Sequence, residues 1–255
     1  MKAMLSIARR EIGAIFATPI GWTCLAALLL MTGFFFAWML GLYAETALQA
    51  AASPWDDPVN VNDHLVAPFF SSWAVILLFA CPAISMRLIA GDRRDGSLEL
   101  LMTSPISTFQ IVGGKYLGAM GFVCIMLAAT LHFPVMLLWL GDPDPGVLTS
   151  CYLAILFMSA AFVAVGLAAS SLTESQLVAL LISFAVLLGF WLLGAADSQA
   201  PGVFTKVLAH ASLLDHMESL ARGAIHLRDV VYFLTFSGFF LFVAHQRIEW
   251  MRWGE

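Results

Sequence analysis

The densest run of charge lies between two long apolar stretches, from Met86 to Tyr116, and reads MRLIAGDRRDGSLELLMTSPISTFQIVGGKY. Acids, bases and leucines alternate there. That composition presents charge at the edge of an apolar layer and lacks a nucleophile with a base beside it. Asp95 or Ser97 can cap a short helix through Leu98–Met102, and Pro105 ends it. Laid parallel to a membrane, such a helix turns Leu98, Leu101 and Met102 toward the apolar layer and leaves Arg93, Arg94, Asp95 and Glu99 open to a partner. A plain basic loop placed by the positive-inside rule reads equally well from the same residues.

Other reactive residue types fall short of a site. Gly113-Gly114-Lys115 resembles the end of a phosphate-binding loop. That loop also needs Gly five residues before the Gly-Lys pair and Ser or Thr after it, where this sequence has Phe109 and Tyr116. The chain therefore has no nucleotide-hydrolysing motif, and no catalytic residues are predicted. His210, Asp215, His216 and Glu218 cluster in one polar segment, but the spacing fits structural roles better than metal ligation, and no metal is expected. Only His132 falls clearly inside an apolar run, which argues against a haem held by two facing axial ligands. Cys24, Cys81, Cys124 and Cys151 lie in or at the edge of apolar runs without CxxC spacing and read as small buried hydrophobes.

The surrounding elements are membrane spans. The 255 residues are 61% hydrophobic and 11% charged, well outside the range of soluble domains, so a single membrane domain covering 1–255 is expected. Six stretches reach the roughly 20 apolar residues that cross a bilayer: 20–43, 68–90, 116–140, 148–172, 177–196 and 230–245. The first is too long for a signal-peptide core of about 7–15 residues and is read as a retained helix. Ahead of it, residues 1–18 place Met4, Leu5, Ala8, Ile12, Ile15 and Phe16 on one helical face, which predicts an amphipathic helix lying in the interface. Pro19 and Gly21 break the chain before the first span. Pro82 and Pro134 are expected to kink their spans. Gly114, Gly118 and Gly121, and later Gly166, Ala169 and Ser170, mark faces where helices can approach closely.

Charge sets the orientation. With both termini inside, Lys2, Arg9, Arg10, Arg87, Arg93, Arg94, Lys115, Arg247 and Arg252 are cytoplasmic, against Lys206, Arg222 and Arg228 outside, nine to three. Arg87 is close enough to the end of its span to snorkel. The outer side then holds an acidic loop at 45–67, a GDPDPG turn at 141–146 and a polar segment at 197–229. In the last, Val203, Phe204, Val207, Leu208, Leu214, Met217 and Ala221 recur at helical intervals and predict an outer amphipathic segment. No basic patch suggests nucleic acid.

The run R-x-I-A-G-D-R-R-D-G-S-L-E-L-L-M-T-S-P-I-S, followed by G-G-K-Y, closely resembles the first cytoplasmic loop of ABC-2 type transporter permeases. A second stretch, MESLARGAIHLRDVVYFL at 217–234, resembles the permeases associated with gliding motility, as does Ala8-Arg-Arg-Glu-Ile12 near the N-terminus. The resemblance spans nearly the whole chain. It differs mildly in carrying Asp92 where Glu is common and Ser97 where Thr is common.

What the resemblance implies is an all-α permease subunit in a bacterial inner membrane, with six spans, an N-terminal elbow helix and a coupling helix. Carried over, the coupling motif falls on Asp92, Arg93, Arg94, Asp95, Gly96, Ser97, Leu98 and Glu99. Glu174, between Thr173 and Ser175 in the second cytoplasmic loop, falls on another ATPase contact. The implied partners are a separate ATP-binding subunit, which supplies ATP and Mg2+, a second permease copy forming a homodimer, and the lipid bilayer. The expected function is ATP-driven export. The alternatives are a mechanotransmitter that passes ATPase work to an extracytoplasmic auxiliary protein, and a membrane anchor or channel of a redox complex.

Overall fold

A computed structural model describes residues 2–52, 60–140, 143–196, 212–221, 223 and 226–253. Its elements are α1 (Lys2–Ala17), α2 (Pro19–Ala52), a π-helical turn (Asn62–Val66), α3 (Ala67–Ser85), α4 (Ala90–Arg94), α5 (Ser97–Thr103), α6 (Thr108–Ala129), α7 (His132–Leu140), α8 (Pro145–Leu172), α9 (Gln176–Ala196), α10 (Leu213–Ala221) and α11 (Leu227–Trp253). Among the described residues, six helical segments are long and apolar enough to cross a membrane: Gly21–Ala52, Asn62–Arg94, Thr108–Trp139, Pro145–Leu172, Gln176–Leu193 and Leu227–Arg252. The chain is a multi-pass membrane protein.

Several helices run beyond their apolar windows. The helix α2 carries Glu45 and continues to Ala52, into the expected acidic loop, and the π-helical turn enters that loop from its far side. The helix α11 extends to Trp253 because nothing after His245 breaks it, and its added turns carry the exposed Arg252 and the half-buried Arg247 and Glu249. The helix α6 begins at Thr108, eight residues before the apolar window, because Ser107 and Gln110 form a reciprocal capping box.

The centre of the bundle is α8, which packs against α3, α6, α9, α10 and α11. Its second half is a run of small residues and valines, and every side chain from Ala161 to Ser171 is buried. Small side chains let neighbouring backbones close in, which in a membrane replaces the missing hydrophobic driving force. A Cβ on Gly166 would land on the Ser85 hydroxyl of α3.

Two breaks in the spans have identifiable partners. Pro134 has no N–H for the Thr130 carbonyl, so the third span breaks at 130–131 into α6 and α7, and Tyr152 Oη donates to that carbonyl at 3.1 Å. Pro82 lies within an unbroken α3, and regular geometry is lost only at 86–89, before α4. There Ser170 Oγ of α8 accepts from the Ile89 and Ala90 amides and donates to the Met86 carbonyl at 2.8 Å.

Candidate functional site

The glycine stripe of α6 seats α1. A Cβ on Gly114 would come within 2.8 Å of Ile7 Cβ, and one on Gly118 within 2.6 Å of Glu11 Cβ. Ile7, Ala8, Glu11 and Ile15 form the buried face of α1, while Leu5 is exposed. The amphipathic face is thus rotated from the apolar stripe in the sequence. It admits Glu11 because a cation waits beneath it.

That cation is Lys115, whose side chain is fully buried. Its Nζ lies 2.9 Å from Glu11 Oε1 and 2.5 Å from Asp92 Oδ2, and donates to the Leu88 carbonyl at 2.5 Å. Arg10 Nη2 reaches Glu11 at 3.1 Å and Asp92 at 3.4 Å. A buried ammonium has three donors to satisfy, and here two carboxylates and a carbonyl freed by the 86–89 break take them. Four charges from α1, α4 and α6 are joined across sequence separations of up to 104 residues. Lys115 is thus enclosed within the protein, and Asp92 of the coupling motif faces inward to it. Arg87 Nη1 donates to Thr18 Oγ1 at 3.3 Å, holding the bend between α1 and α2.

Beyond α4 the chain reverses at Gly96, the N-cap of α5, whose φ of 71° suits the residue without a Cβ. Neither Asp95 nor Ser97 caps α5 as expected. Ser97 Oγ instead donates back to the Asp92 carbonyl at 3.3 Å. Along α5, Leu98 is buried, Leu101 and Met102 are half-buried, and Leu100 is 74% exposed. Arg94, Asp95 and Glu99 are exposed.

Arg93 does not stand alone: its Nη2 pairs with Glu174 Oε1 at 2.9 Å, tying α4 to the three-residue turn between α8 and α9. Asp92, Arg93, Gly96, Ser97, Leu98, Glu99 and Glu174 are therefore brought to one end of the bundle, with Arg94 and Asp95 at its rim. Glu174 borders two open clefts there. One, of about 630 Å³, is lined by Arg94, Gln176 and Leu180 among others. The other, of about 750 Å³, lies between α5 and the last turns of α11.

Sequence reasoning missed the Glu11–Lys115–Asp92 cluster and the contribution of α11. The available signals were Glu11 within the stripe Ile7, Ala8 and Ile15, and Lys115 beside the Gly114–Gly118 face.

Val203, Phe204, Val207, Leu208 and His210 lie outside the described residues. The described part, α10, lies at the opposite end and buries Met217 and Ala221 as expected, together with Leu213, His216 and Leu220, while Leu214 is only half-buried. His216 Nδ1 lies 2.6 Å from Asp229 Oδ1 of α11 and its ring stacks on Tyr232, while Asp215 is exposed.

The described residues form a helical bundle with six candidate spans and a short surface helix between the second and third. The family model described as ABC-2 family transporter protein matches residues 5–221. The chain belongs to this family, and membership implies an ATP-binding partner subunit, since the family supplies the transmembrane component of ABC systems. No curated protein matches the chain.

Proposed function

We propose that the chain is the permease subunit of an ATP-driven ABC exporter, in which α5 is the coupling helix. One observation carries this reading. An exposed, charged helix, α5, follows directly on α4, whose Asp92 and Arg93 are fixed at the end of the bundle by ion pairs to α1, α6 and the turn after α8. Such anchorage would let force applied to the surface helix reach the bundle. Glu99, Arg94 and Asp95 then meet the ATPase directly, Arg93 and Glu174 meet it as a bridged pair, and Gly96, Ser97, Leu98 and Asp92 hold the helix in place. ATP and Mg2+ reside in the partner.

In this reading the end bearing both termini is cytoplasmic and the membrane is a bacterial inner membrane. Residues 217–234 favour the gliding-motility subfamily. The window of α2 and that of α9 are each only 17% buried, against 72% for α8. These two apolar faces suit lipid and a second permease copy. Work delivered to an extracytoplasmic auxiliary protein without solute movement is the second reading, favoured by the dense packing of α8, whose side chains from Ala161 to Ser171 are all buried.

The test is retention of the ATP-binding subunit that co-purifies in mild detergent. Truncating one partner of an interfacial charge pair costs about 2–5 kcal/mol. Glu99→Ala is expected to insert normally and lose most of that subunit. Unchanged retention and unchanged stimulated hydrolysis overturn the assignment. Orientation is checked by an impermeant maleimide on single cysteines replacing Arg94 or Asp215 in a cysteine-free chain. Only the Asp215 site is expected to label in intact cells.

A further inference from the structure

The cleft of about 750 Å³ is lined by Arg93, Leu98, Glu99, Met102, Thr103 and Glu174 on one side and by Arg247, Trp250, Met251 and Arg252 of α11 on the other. Its cations are not equivalent. Arg93 is neutralised by Glu174, and Arg252 donates to the Ile106 carbonyl at 3.3 Å. Arg247 has a buried Nε with no hydrogen-bond partner. A buried guanidinium N–H left unsatisfied is costly, and a fork of this geometry is best met by a carboxylate or phosphate. Beside it, Trp250 is 72% exposed, a large amphipathic ring of the kind that anchors interfaces.

We infer that the last turns of α11 form a second wall of the ATPase seat, with Arg247 receiving an acidic side chain of the ATP-binding subunit and Trp250 covering the apolar surface next to it. The inference rests on the reading that α5 faces that subunit. Charge complementarity selects the occupant. The lining carries three arginines and two carboxylates, a net positive cleft that takes one carboxylate. A lipid phosphate entering it would lie against Glu99 and Glu174, whereas an acidic side chain flanked by apolar or basic neighbours satisfies both signs. The consequence is mechanical: motion of the ATPase reaches the bundle through α11 as well as through α5, and α11 packs along α8.

The test uses the full permease with the ATP-binding subunit that co-purifies with it. A photo-reactive benzophenone side chain at Trp250 is expected to cross-link to that subunit, and Arg247→Gln to weaken its binding by roughly tenfold or more. Arg247→Lys, which keeps the charge and loses the fork, is expected to fall between. Cross-linking from Trp250 only to lipid or to a second permease copy overturns the inference, as does unaltered binding by Arg247→Gln. If Arg247→Gln fails to fold, the Trp250 cross-link decides. A benzophenone at Glu99 separates the two ideas: cross-linking from Glu99 and not from Trp250 leaves α5 as the coupling helix and removes α11 from the seat.

Discussion

The two ends of the bundle are held together by different chemistry. At the end bearing the termini, Glu11, Lys115, Asp92 and Arg10 join α1, α4 and α6 through full charges, and Arg93 joins Glu174 across two turns. At the other end, α10 is fastened mainly by apolar burial and short-range hydrogen bonds: Ser150 Oγ to the Leu220 carbonyl, Cys151 Sγ to the Ala221 carbonyl, and His216 to Asp229. Paired charges cost desolvation but hold separate elements in one geometry. Apolar packing seals without specifying direction. On the proposed reading, force enters at the charged end, where α4 ties the neighbouring α5 to the bundle, while α10 packs over the other end.

Lys115→Met gives the largest expected effect. It leaves the buried side of Glu11 and Asp92 without a cation, with only the half-exposed Arg10 still in reach, a loss toward the lower end of about 3–5 kcal/mol. A steep fall in thermal stability in detergent, with loss of ATPase stimulation in any protein that survives, is the expected result. Lys115→Arg, which keeps the charge in a larger head, should retain more. Wild-type stability in Lys115→Met would remove the charged half of the comparison.

Gly118→Val comes next. Its Cβ would press on Glu11, lifting α1 from α6 and drawing the carboxylate off Lys115, at about 1–3 kcal/mol for overpacking. The same melting assay measures it. The analogous change at Gly41, where a Cβ meets nothing within 4 Å, should be near neutral.

At the opposite end, Ser150→Ala removes one neutral hydrogen bond to α10 and should cost about 1 kcal/mol. The sharper expectation is that ATPase retention stays normal. Glu174→Ala should do the reverse. Its carboxylate is largely exposed, so the bridge to Arg93 contributes about 0–1 kcal/mol of stability, yet retention of the ATP-binding subunit should drop. Normal retention in Glu174→Ala and impaired retention in Ser150→Ala would invert the comparison.

The spans were legible because a bilayer admits few other sequences: about 20 apolar residues per crossing is a physical requirement. The charged loop and its short helix were legible from Asp92–Glu99 for the same reason, since so many charges cannot enter the bilayer core. The ion cluster was not. Lys115 satisfies a count of basic residues whether it faces water or Glu11, and only the close approach of α1 at Gly114 and Gly118 decides between them. The cap of α5 was misread because Asp95 and Ser97 are better capping types than glycine, whereas the tight reversal after α4 required positive φ at Gly96. Nor could hydropathy separate α8 from α2, both strongly apolar. Small residues through the second half of α8, against Phe34, Trp38 and Leu48 exposed on α2, are what mark the centre of the bundle.

The most direct measurement is photo-cross-linking from the exposed Leu100 of α5 and, as a control, from the exposed Asp215 of α10, in the complex purified with its ATP-binding subunit. A benzophenone at Leu100 should capture that subunit and one at Asp215 should not. Capture from Asp215, or none from Leu100 in a complex that retains the subunit, would contradict the account.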